Sequence, residues 1–237
     1  MSDSGRRRLS VLFLCVGALL TYECTYSELI YELNGRAEYF KQVRQRYQAM
    51  LDLIQGGYDV VFVNAEIMTR RTYSDVWQAV VEFVHNGGTA ICIGDFNRAY
   101  HRISDRNPPE NPYYLPNPFN TAGLPWKFEE KYSCRIYLND RYTPLPDAHL
   151  ANLPDTYHTH SIFLTGVDIS DAWYRSNPVD IAFLPVVEPH HVNPRVNPFA
   201  FPVVRTEVGR GRLGYVGEIG TATPISIIMA MAGFPAT

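Results

Sequence analysis

The stretch Asn86-Gly87-Gly88-Thr89-Ala90-Ile91-Cys92-Ile93-Gly94-Asp95-Phe96 decides how this chain is read. Asn86-Gly87-Gly88 has the composition of a helix stop. Thr89–Ile93 is a short apolar run suited to a strand buried on both faces, and Gly94-Asp95 forms a sharp corner after it. In open parallel α/β sheets, ligands and catalytic groups gather just beyond the carboxyl ends of the strands. A Cys or Ser at such a corner points to acyl transfer. This chain offers Asp95, with Cys92 three residues earlier, inside the strand.

Working back from that stretch, strands and helices alternate. Val76, Trp77, Val80, Val81 and Val84 repeat at helical spacing behind a cap at Ser74 or Asp75. Asp59–Asn64 is a continuous β-branched and aromatic run, the signature of a doubly buried strand. A helix through Tyr47, Met50, Leu51 and Ile54 ends at Gly56-Gly57, and Ala37–Val43 reads as a strand. A short helix from Glu28 to Leu33, capped by Ser27, stops at Asn34-Gly35, and Leu9–Val16 is a first buried strand ending at Gly17. Such alternation implies parallel βαβ units with right-handed crossovers.

Working forward, the pattern breaks. From about 97 to 126, Pro108, Pro109, Pro112 and Pro118 punctuate a long loop that also carries Tyr113, Tyr114 and Phe119. A loop of that length reads as a lid or binding loop. Tyr132–Leu138 and Ser161–Leu164 read as strands, and the Pro-interrupted segment 188–198 as an irregular edge. Phe201–Glu207 and Arg212–Gly217, joined by Gly209-Arg210-Gly211, form a hairpin. Thr223 as cap and Pro224 at the first helical position open a last helix to Ala232. No repeat or linker divides the chain, so residues 1–237 read as one domain.

The net charge of −3 excludes a nucleic-acid binder, which needs a basic footprint this sequence lacks. Four cysteines without CxxC spacing suit a reducing compartment, hence the cytoplasm. The competing reading is a secreted chain, because Arg6-Arg7-Arg8 before Leu9–Leu20 imitates a signal peptide with a cleaved apolar core. No apolar segment is long enough to span a bilayer, so no membrane partner is expected. Neither GxGxxG nor a Walker A sequence occurs, which disfavours a nucleotide cofactor.

Tyr58–Asn64, the helix end Val81–Gly88, the strand Thr89–Gly94, Gly123-Leu124-Pro125-Trp126 and Gly211–Glu218 together resemble the class I glutamine-amidotransferase-like superfamily. The similarity is nearest to its ThuA-like (trehalose utilization) branch and uncharacterised fungal relatives. It implies an α/β, flavodoxin-like three-layer sandwich with a mainly parallel central sheet and an additional antiparallel segment in the second half. It does not imply an activity.

Glutaminases of that superfamily carry a Cys on a tight elbow, with a His and a Glu after a later strand. Here Ala90-Ile91-Cys92-Ile93-Gly94 imitates the elbow locally, but Gly88 and Cys92 are separated by only roughly 10–13 Å of extended chain, too short to cross a packed sheet. The corner therefore belongs at Gly94-Asp95. Val216-Gly217-Glu218 puts a Glu where a His is wanted, so no base is assigned to Cys92 and glutaminase activity is not expected. A Cys92-dependent amide or ester hydrolase is the weakest alternative.

What remains is acidic. Asp95, Glu66 and Glu218 fall at strand ends, where carboxylates can divide acid and base roles or hold a divalent cation. His101 is the histidine best placed to reach the same crevice. His158 and His160, two apart on a strand, are candidate metal ligands. The expected function is binding or processing of a small polar metabolite around Asp95. The alternative is a catalytically silent domain that binds a ligand or protein through Tyr113, Tyr114, Phe119 and Trp126, and homo-oligomerisation is left open.

Overall fold

The computed structural model describes residues 8–17, 25–98, 115, 117–141, 153–177, 196–218 and 224–235. In chain order the elements are β1 (Ser10–Leu14), α1 (Ser27–Arg36), β2 (Tyr39–Val43), α2 (Arg46–Gln55), β3 (Val60–Val63), α3 (Ser74–His85) and β4 (Thr89–Cys92). They are followed by β5 (Lys127–Leu138), β6 (Thr156–Thr165), β7 (Ala172–Ser176), β8 (Val203–Val208), β9 (Gly211–Val216) and α4 (Ile225–Ala232). The nine strands form one sheet in the order β2-β1-β3-β4-β9-β8-β7-β5-β6. Pairing is parallel from β2 to β9 and antiparallel from β9 to β6. The fold is thus the α/β sandwich expected, a parallel sheet with an antiparallel extension.

β1, β3 and β4 are buried on both faces, as their unbroken apolar runs require. Each face carries its own core. One packs Phe13, Phe62 and Ile91 with Phe163, Trp173 and Met231; the other packs Val61 and Cys92 with Trp77, Phe96, Phe119 and Tyr215. β1 lies between β2 and β3 and pairs with both, so Ser10–Leu14 is an inner strand of the sheet. No helix among the described residues is long and apolar enough to cross a membrane.

Several local expectations are corrected. α1 runs through Asn34-Gly35 to Arg36, because buried Leu29 and Leu33 hold the helix and the Ala37 N–H still reaches the Leu33 carbonyl. Ser27 and Ser74 are first helical residues rather than caps, and neither preceding residue, Tyr26 or Tyr73, makes a side-chain cap bond. Pro224 is the cap of α4 rather than its first residue, and Gly233, at φ 89°, ends the helix. β5 and β6 are far longer than their apolar cores suggested, and β7 went unread.

Of the stretch 97–126, the described residues 117–126 contribute to the interior. Asn117 Oδ1 accepts from the Phe119 N–H at the start of a 3-10 turn, Pro118–Ala122. Phe119 and Trp126 are fully buried beside Phe96, Phe128 and Tyr215, and Trp77 Nε1 donates to the Pro118 carbonyl at 2.7 Å. They are core residues and form no docking surface; Tyr113 and Tyr114 lie outside the described residues, as does most of the 188–198 segment.

The antiparallel strands wrap back on themselves. β6 ends the pairing order, yet its Ile162 N–H donates to the Gly217 carbonyl at 2.9 Å, and Ser161 bridges Glu218. The last strand of the extension therefore returns to the carboxyl end of β9.

Candidate functional site

Because β1, β3, β4 and β9 run parallel, their carboxyl ends share one edge of the sheet. Asn64 follows β3, Gly94 follows β4 and Glu218 follows β9. The chain turns at Gly94 with φ 54°, where a Cβ would collide with the Tyr26 hydroxyl and the Asn64 carboxamide oxygen. Glycine is required there by both conformation and space. Asn64 Oδ1 accepts from the Asp95 N–H at 2.8 Å and so ties the corner after β4 to the end of β3.

Asp95 is partly buried and its Oδ1 lies 2.8 Å from Arg98 Nε. Burial pushes its carboxyl above the ordinary 3.8, Arg98 opposes the rise, and the nearby Glu66 adds to it. Glu66 in turn lies 3.9 Å from Arg70 Nη2. These two carboxylates therefore share one field, tempered by two arginines.

Glu218 has a different setting. It is 4% exposed. Its Oε2 accepts from Thr159 Oγ1 at 2.8 Å, the His160 N–H at 3.2 Å and Ser161 Oγ at 3.3 Å, and the Thr159 and Ser161 hydroxyls also touch. Its carbonyl accepts from Asn97 Nδ2 at 3.0 Å, which also donates to the Val216 carbonyl at 2.8 Å. A buried carboxylate needs such donors to remain in place. Alternation puts Glu218 on the face of Val216, and both line a cavity of about 240 Å³ closed by α1, the end of β4 and the start of α4. Tyr26, Leu29, Ile93, Gly94 and Ile228 complete its wall, and Glu28 stands on it as well. The structure thus brings Asp95 and Glu66 together and sets Glu218 apart; Gly94 alone of that corner lines the cavity.

Cys92 is wholly buried in β4, and burial drives its thiol well above the usual range. His158 and His160 are exposed, on the face of β6 opposite Thr159's own environment. Burial and Lys131 lower His160, against the pull of Glu218. Among the described residues no group of three or more His, Cys, Asp or Glu converges to hold a metal, and His101 lies outside them. Sequence reasoning missed Tyr26, Asn97, Thr159 and Ser161. The i, i+2 spacing of Thr159 and Ser161, which alternate with His158 and His160, was the available signal.

No family description matches the chain, and neither does any curated protein. Among solved structures, a ThuA-like protein from Bacteroides uniformis ATCC 8492 superposes with a TM-score of 0.60 at 13% identity, over 98% of this chain and 92% of that one. A cytoplasmic protein of Salmonella typhimurium LT2 gives 0.53 at 10% identity, over 94% and 93%. The β-galactosidase of Bacillus circulans sp. alkalophilus gives 0.54 at 13% identity, over 97% of this chain but 31% of that one. At these identities the likeness is one of fold, shared with the ThuA-like protein along nearly the whole of both chains.

Proposed function

We propose that this chain is a non-glutaminase relative of the amidotransferase fold that binds a small polar metabolite at the carboxyl edge of its parallel strands. The observation that carries the reading is Glu218, a buried carboxylate clamped through one oxygen and set in the wall of a cavity of about 240 Å³. That volume is below the roughly 300–1,000 Å³ of sites for drug-sized molecules, so the ligand is a small metabolite. Tyr26 and Gly94 belong to the cavity wall, and Asp95 follows Gly94 outside the lining. Asp95, ion-paired with Arg98 and near Glu66, forms a second acidic group outside the cavity lining, with burial holding its carboxyl protonated to higher pH than usual.

Calorimetric titration of the purified protein with monosaccharides, polyols and small amines tests this reading. At least one class binds, and Glu218→Gln weakens it by about tenfold or more. A folded wild-type protein that binds none of them, or a Glu218→Gln protein that binds equally well, overturns it. A second reading, a silent binding part within a larger assembly, is favoured by the β-galactosidase likeness, in which this fold spans 31% of the enzyme's chain.

A further inference from the structure

The described lining of this cavity holds two carboxylates, Glu28 and Glu218, and no Lys, Arg or His. Leu29, Ile93, Val216, Ile225 and Ile228 give the wall a broad apolar surface, beside the hydroxyl-bearing Thr25 and Tyr26. An anionic ligand placed here would be desolvated beside a buried carboxylate with no compensating cation in the described lining. The amino end of α4, which also lines the cavity, attracts negative charge, and Glu218 already supplies it. An inorganic divalent ion would use the carboxylates and water but gain nothing from the apolar wall, and among the described residues no three His, Cys, Asp or Glu side chains converge on one point.

An organic ammonium meets each condition. Glu218 Oε2 is saturated by Thr159, His160 and Ser161, while Oε1 takes no donor among the described residues. An ammonium brings N–H donors to that oxygen, and its hydrocarbon body covers the isoleucine and leucine wall. Glu28, exposed at the amino end of α1, adds attraction at the mouth. We propose that the cavity selects a small organic cation, a primary or secondary amine with an apolar body, through Glu218. This deepens the metabolite-binding reading above and rests on it.

The test uses three compounds with the same cyclohexyl body, cyclohexylamine, cyclohexanol and cyclohexanecarboxylate, titrated calorimetrically into the full chain at pH 7. The amine should bind about tenfold tighter than the alcohol, the difference between a charged and a neutral hydrogen bond, and the carboxylate should not bind. Glu218→Gln should bring the amine and alcohol to near equality, and Ile228→Trp, which fills the cavity, should remove both. Equal wild-type binding of alcohol and amine, lost in Ile228→Trp, overturns the charge selection and leaves the cavity reading standing. Absence of binding by all three, or amine binding indifferent to Ile228→Trp, overturns the organic-cation proposal, whereas the metabolite reading falls only if the sugars, polyols and small amines also fail to bind. Should Glu218→Gln fail the melting check for folding, Glu28→Lys replaces it: abolished amine binding with retained alcohol binding supports the proposal, and unchanged amine binding overturns it.

Discussion

In the parallel half of the sheet, β1, β3, β4 and β9 end at one edge, so the residues that follow them meet without any further device. In the antiparallel half, strand ends alternate between edges, and a contribution to the crevice requires the sheet to curl. β6 does this. It pairs along β5, then turns its Thr159 and Ser161 onto Glu218 beyond β9. The parallel half delivers site residues through topology, and the antiparallel half delivers donors through curvature. The first kind of contribution is predictable from strand order; the second depends on twist and bulge, such as the register shift between Phe128 and Lys131.

The strongest way to break this comparison is to cut the core that the two halves share. Phe62 from β3 and Phe163 from β6 lie in one buried cluster. Phe62→Ala and Phe163→Ala should each cost about 3–5 kcal/mol in urea denaturation, with fluorescence and circular dichroism following a single transition. Two separate transitions would divide the halves into independent units.

The clamp on Glu218 comes next. Thr159→Val removes one donor from a buried carboxylate and should cost about 1.5–3 kcal/mol. If the two side chains act as a unit, combining it with Glu218→Gln costs less than the sum of the two single changes, which a double-mutant cycle measures. Strict additivity would show that the curl of β6 is indifferent to the site.

Cys92→Ala should cost about 1 kcal/mol through lost packing, leave ligand titrations unchanged, and remove a thiol that is inert to thiol reagents in the native protein. Rapid labelling of native Cys92 would contradict its place in the core.

The smallest effect concerns Asp95. Its folded-state carboxyl sits above the ordinary 3.8, so the native state binds the proton more tightly than the unfolded chain does. That contribution to stability is present at acid pH and fades as pH rises through the raised value. Asp95→Asn should therefore give a slightly higher Tm than the wild type at neutral pH, with the advantage vanishing near and below pH 3.8. The opposite slope would mean that the ion pair with Arg98 outweighs burial.

How much was legible followed the same division. β3 and β4 could be read because strands buried on both faces are apolar throughout, and α3 because Trp77, Val80, Val81 and Val84 keep helical period. The hairpin of β8 and β9 announced itself in Gly209-Arg210-Gly211. β5 and β6 were recognised only at their apolar centres, since the polar residues that alternate along them give a weak signal. Phe119 and Trp126, amid prolines, read as loop aromatics; only their packing against Phe96 and Tyr215 makes them core.

Taken alone, the sequence determined the order of buried strands, the glycine corner at Gly94, and the removal of Cys92 from the elbow. These depend on local period, strand rise and conformational restriction, which act over a few residues. Tertiary structure decided which carboxylate faces a cavity. Asp95, Glu66 and Glu218 all follow strand ends, but sheet curvature brings β6 hydroxyls to Glu218 alone, while Asp95 finds Arg98 one turn away. Charge and burial at a site are sums over residues distant in sequence, here separated by as many as 121 positions. That sum exists only once the chain has closed.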